Sequence, residues 1–140
     1  MKKYKITDDM FFSTLNLFIG KHDEMERYIK KTYDCDVSDE GNAGENFFLE
    51  KDKKTVRCIW LEKFDHTAKD IAVLIHELLH FTFDVLIDRG IKYCNDSEET
   101  FTYFLENLYV KSIKAMTNKE KNKMLKQAER NAKSKKRIKK

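Results

Sequence analysis

Five consecutive residues, His76-Glu77-Leu78-Leu79-His80, carry the most explicit chemistry in the chain. Two imidazoles four residues apart on a helix sit one turn above each other, so both can point at one metal ion. Glu77 follows the first of them and can reach a water held on that ion without being a ligand itself. Zinc lowers the pKa of such a water towards 7, and the carboxylate then takes its proton as the oxygen attacks a carbonyl. The surrounding residues are apolar, and two histidines and a glutamate are costly to bury there without partners. A bound cation is expected to account for them. The competing reading is a pair of core histidines bonded to backbone or tyrosine, with Glu77 exposed.

A catalytic zinc needs a third protein ligand and an open fourth position. His22, His66 and the acids are candidates. Downstream, Ser97-Glu98-Glu99-Thr100-Phe101-Thr102-Tyr103 opens a second helix, and Glu98 and Glu99 can equally be charges favoured by its dipole. Tyr103 can donate a hydrogen bond to a reacting oxyanion, or simply pack in the core. Asp84, one turn beyond His80, can orient that histidine or be solvated.

Other elements must position these groups. Leu15, Leu17 and Ile19 alternate with Asn16 and Phe18, which predicts a strand, although Phe11, Leu15 and Phe18 also fit helical spacing. Asp23 is placed to cap a helix to about Tyr33, with Met25, Tyr28, Ile29 and Tyr33 on one stripe. Residues 34–46 read as a loop. Phe47–Leu49, Asp52-Lys53-Lys54 and Thr55–Glu62 predict a hairpin, with Val56, Cys58 and Trp60 on one face and Ile59 and Leu61 on the other. A long helix follows from Thr67 to Arg89, apolar nearly all round and so expected to be central and buried, with Gly90 ending it. Ser97 is the expected N-cap of the next helix, which Phe101, Phe104, Leu105, Leu108, Tyr109 and Ile113 carry forward.

Composition narrows the class. The chain has 140 residues, enough for one core, with ten Phe, six Tyr and one Trp to build it. Proline is absent and glycine occurs four times, which disfavours a collagen-like array or a Gly/Pro-rich sandwich. Apolar stretches fall far short of the roughly 20 residues a membrane helix needs. The amino terminus meets Asp8 and Asp9 before any apolar run and does not read as a signal peptide. Cys35, Cys58 and Cys94 are scattered and odd in number, so a reducing cytoplasm is the expected compartment.

Charge is divided. Residues 119–140 hold nine Lys, two Arg and two Glu, a net +9, against −5 for residues 1–118. The expected organisation is a domain over 1–118 and an exposed basic helix or tail over 119–140. That segment can contact nucleic acid or an acidic protein surface through counterion release, without aromatics to read bases.

The motif resembles that of the zincin metallopeptidases. The order of strand, HExxH helix and Glu-bearing helix resembles a minimal gluzincin. Residues 75–80, Asp88-Arg89-Gly90-Ile91 and 98–103 look like those of small metallopeptidase-like proteins encoded by bacteriophages, over roughly residues 55–113. No Gly-x-x-His follows His80, so the metzincin pattern fails.

The resemblance implies a zincin-like α+β fold. In it, a small antiparallel sheet packs on the central HExxH helix and a second, Glu-bearing helix. An edge strand beside the site would receive extended peptide. It also implies Zn2+ held by His76, His80 and Glu99, with Glu98 the weaker match, and Thr102 or Tyr103 following the third ligand. Glu77 and Tyr103 would serve catalysis, in a hydrolase acting on a peptide or protein in host cytoplasm or virion. The alternative is a non-catalytic, zinc-stabilised interaction protein that docks through its basic tail.

Overall fold

The computed structural model describes residues 1–37 and 43–138, leaving aside the side chains of Lys51 and of residues 131–138. Seven elements follow in order: β1 (Lys2–Thr7), β2 (Thr14–Ile19), α1 (His22–Tyr33), β3 (Gly44–Lys51), β4 (Lys54–Leu61), α2 (Ala68–Asp88) and α3 (Glu98–Ile138). The fold is α+β.

The four strands form one sheet in the order β1-β2-β4-β3. β1 and β2 pair antiparallel, as do β3 and β4, but β2 and β4 run parallel, Leu17 opposite Ile59. The sheet is therefore mixed, which corrects the antiparallel expectation. Its cause is visible in the central strands. Leu15, Leu17, Phe18 and Ile19 of β2 are buried, as are Cys58, Ile59, Trp60 and Leu61 of β4. Strands apolar on both faces are stable only where helices cover both sides, and the α1 connection that returns the chain for parallel pairing supplies one cover.

On one face α1 packs Met25 and Ile29 against Phe18, Leu49, Cys58 and Trp60. On the other, α2 and α3 pack Leu74, Leu78, Phe81, Phe104 and Leu108 against Tyr4, Ile6, Leu15, Leu17, Ile59 and Leu61. The face assignment expected for β4 is observed. Strand β1 lay outside the expectations because Lys2, Lys3 and Lys5 mask its short alternation. The expected 34–46 loop is shortened, since β3 already starts at Gly44, and 38–42 lie outside the described residues. Asp23 stands in the first turn of α1, not at its cap, which is Lys21.

Helix α2 has sharp ends. The Thr67 hydroxyl accepts from Asp70 N–H, and the Asp70 carboxylate accepts from Thr67 N–H, a reciprocal capping box. At the other end Gly90 adopts φ +78°, its N–H bonding Ile87 O while Ile91 N–H bonds Leu86 O. This pair of bonds closes the last carbonyls as a Schellman turn. Yet α2 is not buried all round: Ile75, Leu79 and Ile87 are exposed. Two layers of contact, the sheet and α3, cannot cover every face of one helix.

Helix α3 continues without a break to Ile138. Its last buried residue among those described is Met116, and one turn later Lys119 Nζ donates to Lys3 O at 2.7 Å and lies over the Tyr4 ring. Residues 121–130 are exposed. Position 118 thus divides the chain's charge but not its helix. Ser97 stands immediately before α3, where its backbone O accepts from Thr100 and Phe101 N–H, while its hydroxyl donates to Lys92 O at 2.6 Å and accepts from Cys94 N–H.

Candidate metal centre

The turn of α2 carrying His76 and His80 lies beside edge strand β3. Gly44 explains the closeness of approach. A Cβ built there would lie 2.7 Å from Val73 Cγ1, 3.0 Å from Leu61 Cδ2 and 3.3 Å from Glu77 Cγ. No side chain fits, so the strand backbone can approach the helix. One residue pair further on, the Asn46 backbone N–H bonds the Glu77 carboxylate, while Asn46 Nδ2 donates to Asp84 Oδ2 at 2.8 Å. Asp84 thus ties helix to strand through Asn46, and no hydrogen bond or ion pair joins it to His80 among the described residues.

His76 Nε2 and His80 Nε2 converge to 3.1 Å. Two nitrogens on one tetrahedral zinc, each 2.0–2.1 Å from it, stand about 3.3 Å apart. The approach that gives a hydrogen bond between the rings is thus also the approach of two ligands to one ion. On this observation the donor pair fits zinc.

Burial departs from the sequence expectation at the histidines and is the reverse of the competing reading at Glu77. Both histidines are exposed, and Glu77 is the buried member, at 7% exposure. Helix geometry explains this. Glu77 shares the core-facing side with Leu74, Leu78 and Phe81, whereas positions 76 and 80 rotate away over the edge strand. Burial pushes the Glu77 carboxyl above its ordinary range, and His76 and His80 partly counter it when charged. A cavity of about 440 Å³ opens here, lined by Gly44, Lys69, Ala72, His76 and Glu77.

The second helix packs against α2 just beyond this turn. Phe83, just beyond His80, stacks on Phe101 at 4.9 Å and Tyr93 at 5.7 Å, which holds the first turn of α3 alongside α2. Glu98 and Glu99 lie on that turn and are exposed, and Tyr103 is 59% exposed. Among the described residues no third His, Cys, Asp or Glu is grouped with the histidine pair. Thr102 spends its hydroxyl on Glu98 O at 3.0 Å.

The other histidines are engaged elsewhere. His22 lies on the α1 side, edge-on to Trp60 and 3.7 Å from both Glu26 and Glu45. His66 stands before α2, near Phe64 and Glu120. Sequence reasoning missed Gly44 and Asn46. Their signal was a glycine two residues before an apolar run, which a strand uses where another backbone or side chain comes close.

Comparison of the chain with protein-family models, with curated proteins and with solved structures finds no match in any of the three.

Proposed function

We propose that the chain is a zinc-dependent hydrolase, a peptidase with a zincin-like site, in which His76 and His80 hold the metal and Glu77 handles the proton. The convergence of the two Nε2 atoms beside one buried carboxyl is the observation that carries this reading. When bound, zinc supplies a Lewis acid that polarises a carbonyl and acidifies water. The remaining chemistry belongs to the chain. Glu77, with its raised proton affinity, accepts the proton of an attacking water and returns it to the leaving amine. Its oxygen is steadied by the Asn46 N–H, so base and edge strand keep a fixed relation.

Glu99 is the proposed third ligand, with Glu98 the alternative. Both stand on the first turn of α3, which Phe101 packs against Phe83 of α2; the described residues do not group either carboxylate with the histidine pair, so this ligand rests on the sequence pattern. Tyr103 is proposed as an oxyanion donor from the same turn. The free edge of β3 would take an extended peptide by main-chain pairing.

The test is metal content of the purified protein by elemental mass spectrometry, followed by a peptidase screen. About one zinc per chain is expected, lost in His80→Ala and in Glu99→Ala. Loss in His80→Ala and retention in Glu99→Ala would move the third ligand to Glu98. No zinc after add-back would end the catalytic reading.

A second reading is favoured by one feature of α3. Lys119, Lys123, Lys126 and Arg130 recur at helical spacing and line, with Lys2, a groove of about 720 Å³. Such a stripe suits a nucleic-acid backbone or an acidic protein surface, and a non-catalytic docking protein would need no more than this.

A further inference from the structure

Helix α1 is twelve residues long and covers only part of the sheet face on which it packs. Beyond its end at Tyr33, Cys35 and Val37 still pack on that face, and the described residues leave part of it uncovered. Strand alternation places Thr14 and Asn16 there with Phe18, and Lys54 there with Val56 and Cys58. Lys5 joins them, two residues from Lys3, whose amine lies 3.8 Å over the Tyr28 ring of α1. Lys5, Thr14, Asn16, Lys54 and Val56 line a cleft of about 780 Å³, closed at its rim by Phe12, Arg57 and Arg89.

Three properties of this cleft need an explanation that packing does not give. Its charge is opposite to its surroundings: four cations from three separate segments meet one lining carboxylate among the described residues, Asp88, on a body whose net charge is −5. Arg57 bonds Asp88 and Arg89 bonds Phe11 O, so both guanidiniums are fixed in place, while Lys5 and Lys54 have no acidic partner among the described residues. Phe12 is 85% exposed and sits at φ +52°, where bulky side chains are rare. Ser13, only 6% exposed, lines the same wall with a hydroxyl that has no hydrogen-bond partner.

We propose that this cleft binds a ligand of the nucleotide class, a phosphate attached to a planar base, with Lys5 and Lys54 on the phosphate and Phe12 on the base. Cations fixed on a sheet face with an aromatic at the rim are the minimal parts of a stacking platform. The site lies at the C-terminal end of α2, away from His76, and does not depend on the hydrolase reading. The same chemistry is presented by a free mononucleotide and by a single strand.

Fluorescence anisotropy of a labelled oligothymidylate tests this, with thymidine monophosphate and inorganic polyphosphate as competitors. Every protein carries Lys119→Gln, Lys123→Gln, Lys126→Gln and Arg130→Gln, which neutralises the α3 stripe. Joint Lys5→Glu and Lys54→Glu substitution is expected to weaken binding at least tenfold and to flatten the log–log salt slope by about 1.4. Phe12→Gly, which also relieves the positive φ, should weaken the oligonucleotide severalfold and leave polyphosphate unchanged. Competition by the monophosphate assigns a mononucleotide pocket, and its failure beside tight oligonucleotide binding assigns a single strand. Three results would overturn the site: no binding, unchanged affinity in the lysine variant, or equal effects of Phe12→Gly on both probes.

Discussion

Glu77, the buried acid of α2, accepts a hydrogen bond from the backbone N–H of Asn46 on β3. Helix and edge strand thus share the group on which hydrolysis would turn. Replacing Glu77 with Gln preserves its shape and an acceptor for that N–H, and removes the base. Hydrolysis is expected to fall by about 10² to 10⁴. Zinc content and far-UV circular dichroism should match the wild type. Undiminished turnover in Glu77→Gln would take this residue out of the mechanism.

Metal binding should also be legible as stability, because a ligand held only by the folded state stabilises it. With free zinc at a hundred times its Kd the gain is about 2.7 kcal/mol. Thermal unfolding with and without zinc is the measurement. The wild type should show the shift, and His76→Ala and His80→Ala should lose it while melting normally without metal, since both side chains are exposed.

Gly44 is the position where the strand comes nearest the helix. An added methyl would meet Val73 and Leu61 inside contact distance. Gly44→Ala is expected to cost about 1–3 kcal/mol by overpacking. It should also reduce activity more than Ala substitution at exposed Thr55, because any relief moves β3 away from Glu77. Urea denaturation and activity on the same samples decide this. Wild-type values in both would show that the approach is not constrained.

Much of this architecture was legible as pattern. The long helix with Gly90 after it, the α1 stripe and the two faces of β4 follow from periodicities of 3.6 and 2.0. Strand β1 escaped because lysines alternate with only Tyr4 and Ile6, and the parallel pairing of β2 with β4 escaped because chain order does not state which strands become neighbours. At the site, spacing placed His76 and His80 on one side of α2 but could not say which side faces the core. That choice depends on the phase of Leu74, Leu78 and Phe81, and it buries Glu77 and exposes the histidines. Gly44 and Asn46 matter through a contact between distant segments, which local pattern does not encode.

Two of the three thiols, Cys58 and Cys94, should separate cleanly by reactivity. Burial pushes the Cys58 thiol up to about 12, so it is protonated at any physiological pH. Cys94 is exposed and its thiol is lowered, chiefly by the Ser97 hydroxyl and then by the Asp96 and Ser97 amides. With a disulfide reagent at pH 8 the fast phase should belong to Cys94 and vanish in Cys94→Ser. Cys58 should react only in denaturant. Rapid labelling of Cys58 in the native protein would mean that the α1 layer opens readily.

Acid should loosen α2 at its amino end. The Asp70 carboxyl is held below the ordinary carboxylate range, first by the Asp65 N–H at 2.8 Å and then by the Thr67 hydroxyl and N–H. A group whose folded pKa is depressed binds its proton more readily in the unfolded chain. Its stabilisation is therefore complete above the ordinary range and is lost as pH falls from there through the lower folded value. Asp70→Asn keeps an acceptor oxygen but not the charge. Its urea midpoint should lie below that of the wild type at pH 7, with the gap closing as pH drops beneath the carboxylate range. A gap constant with pH would assign the loss to altered capping geometry, and a gap that widens in acid would contradict the depressed carboxyl itself.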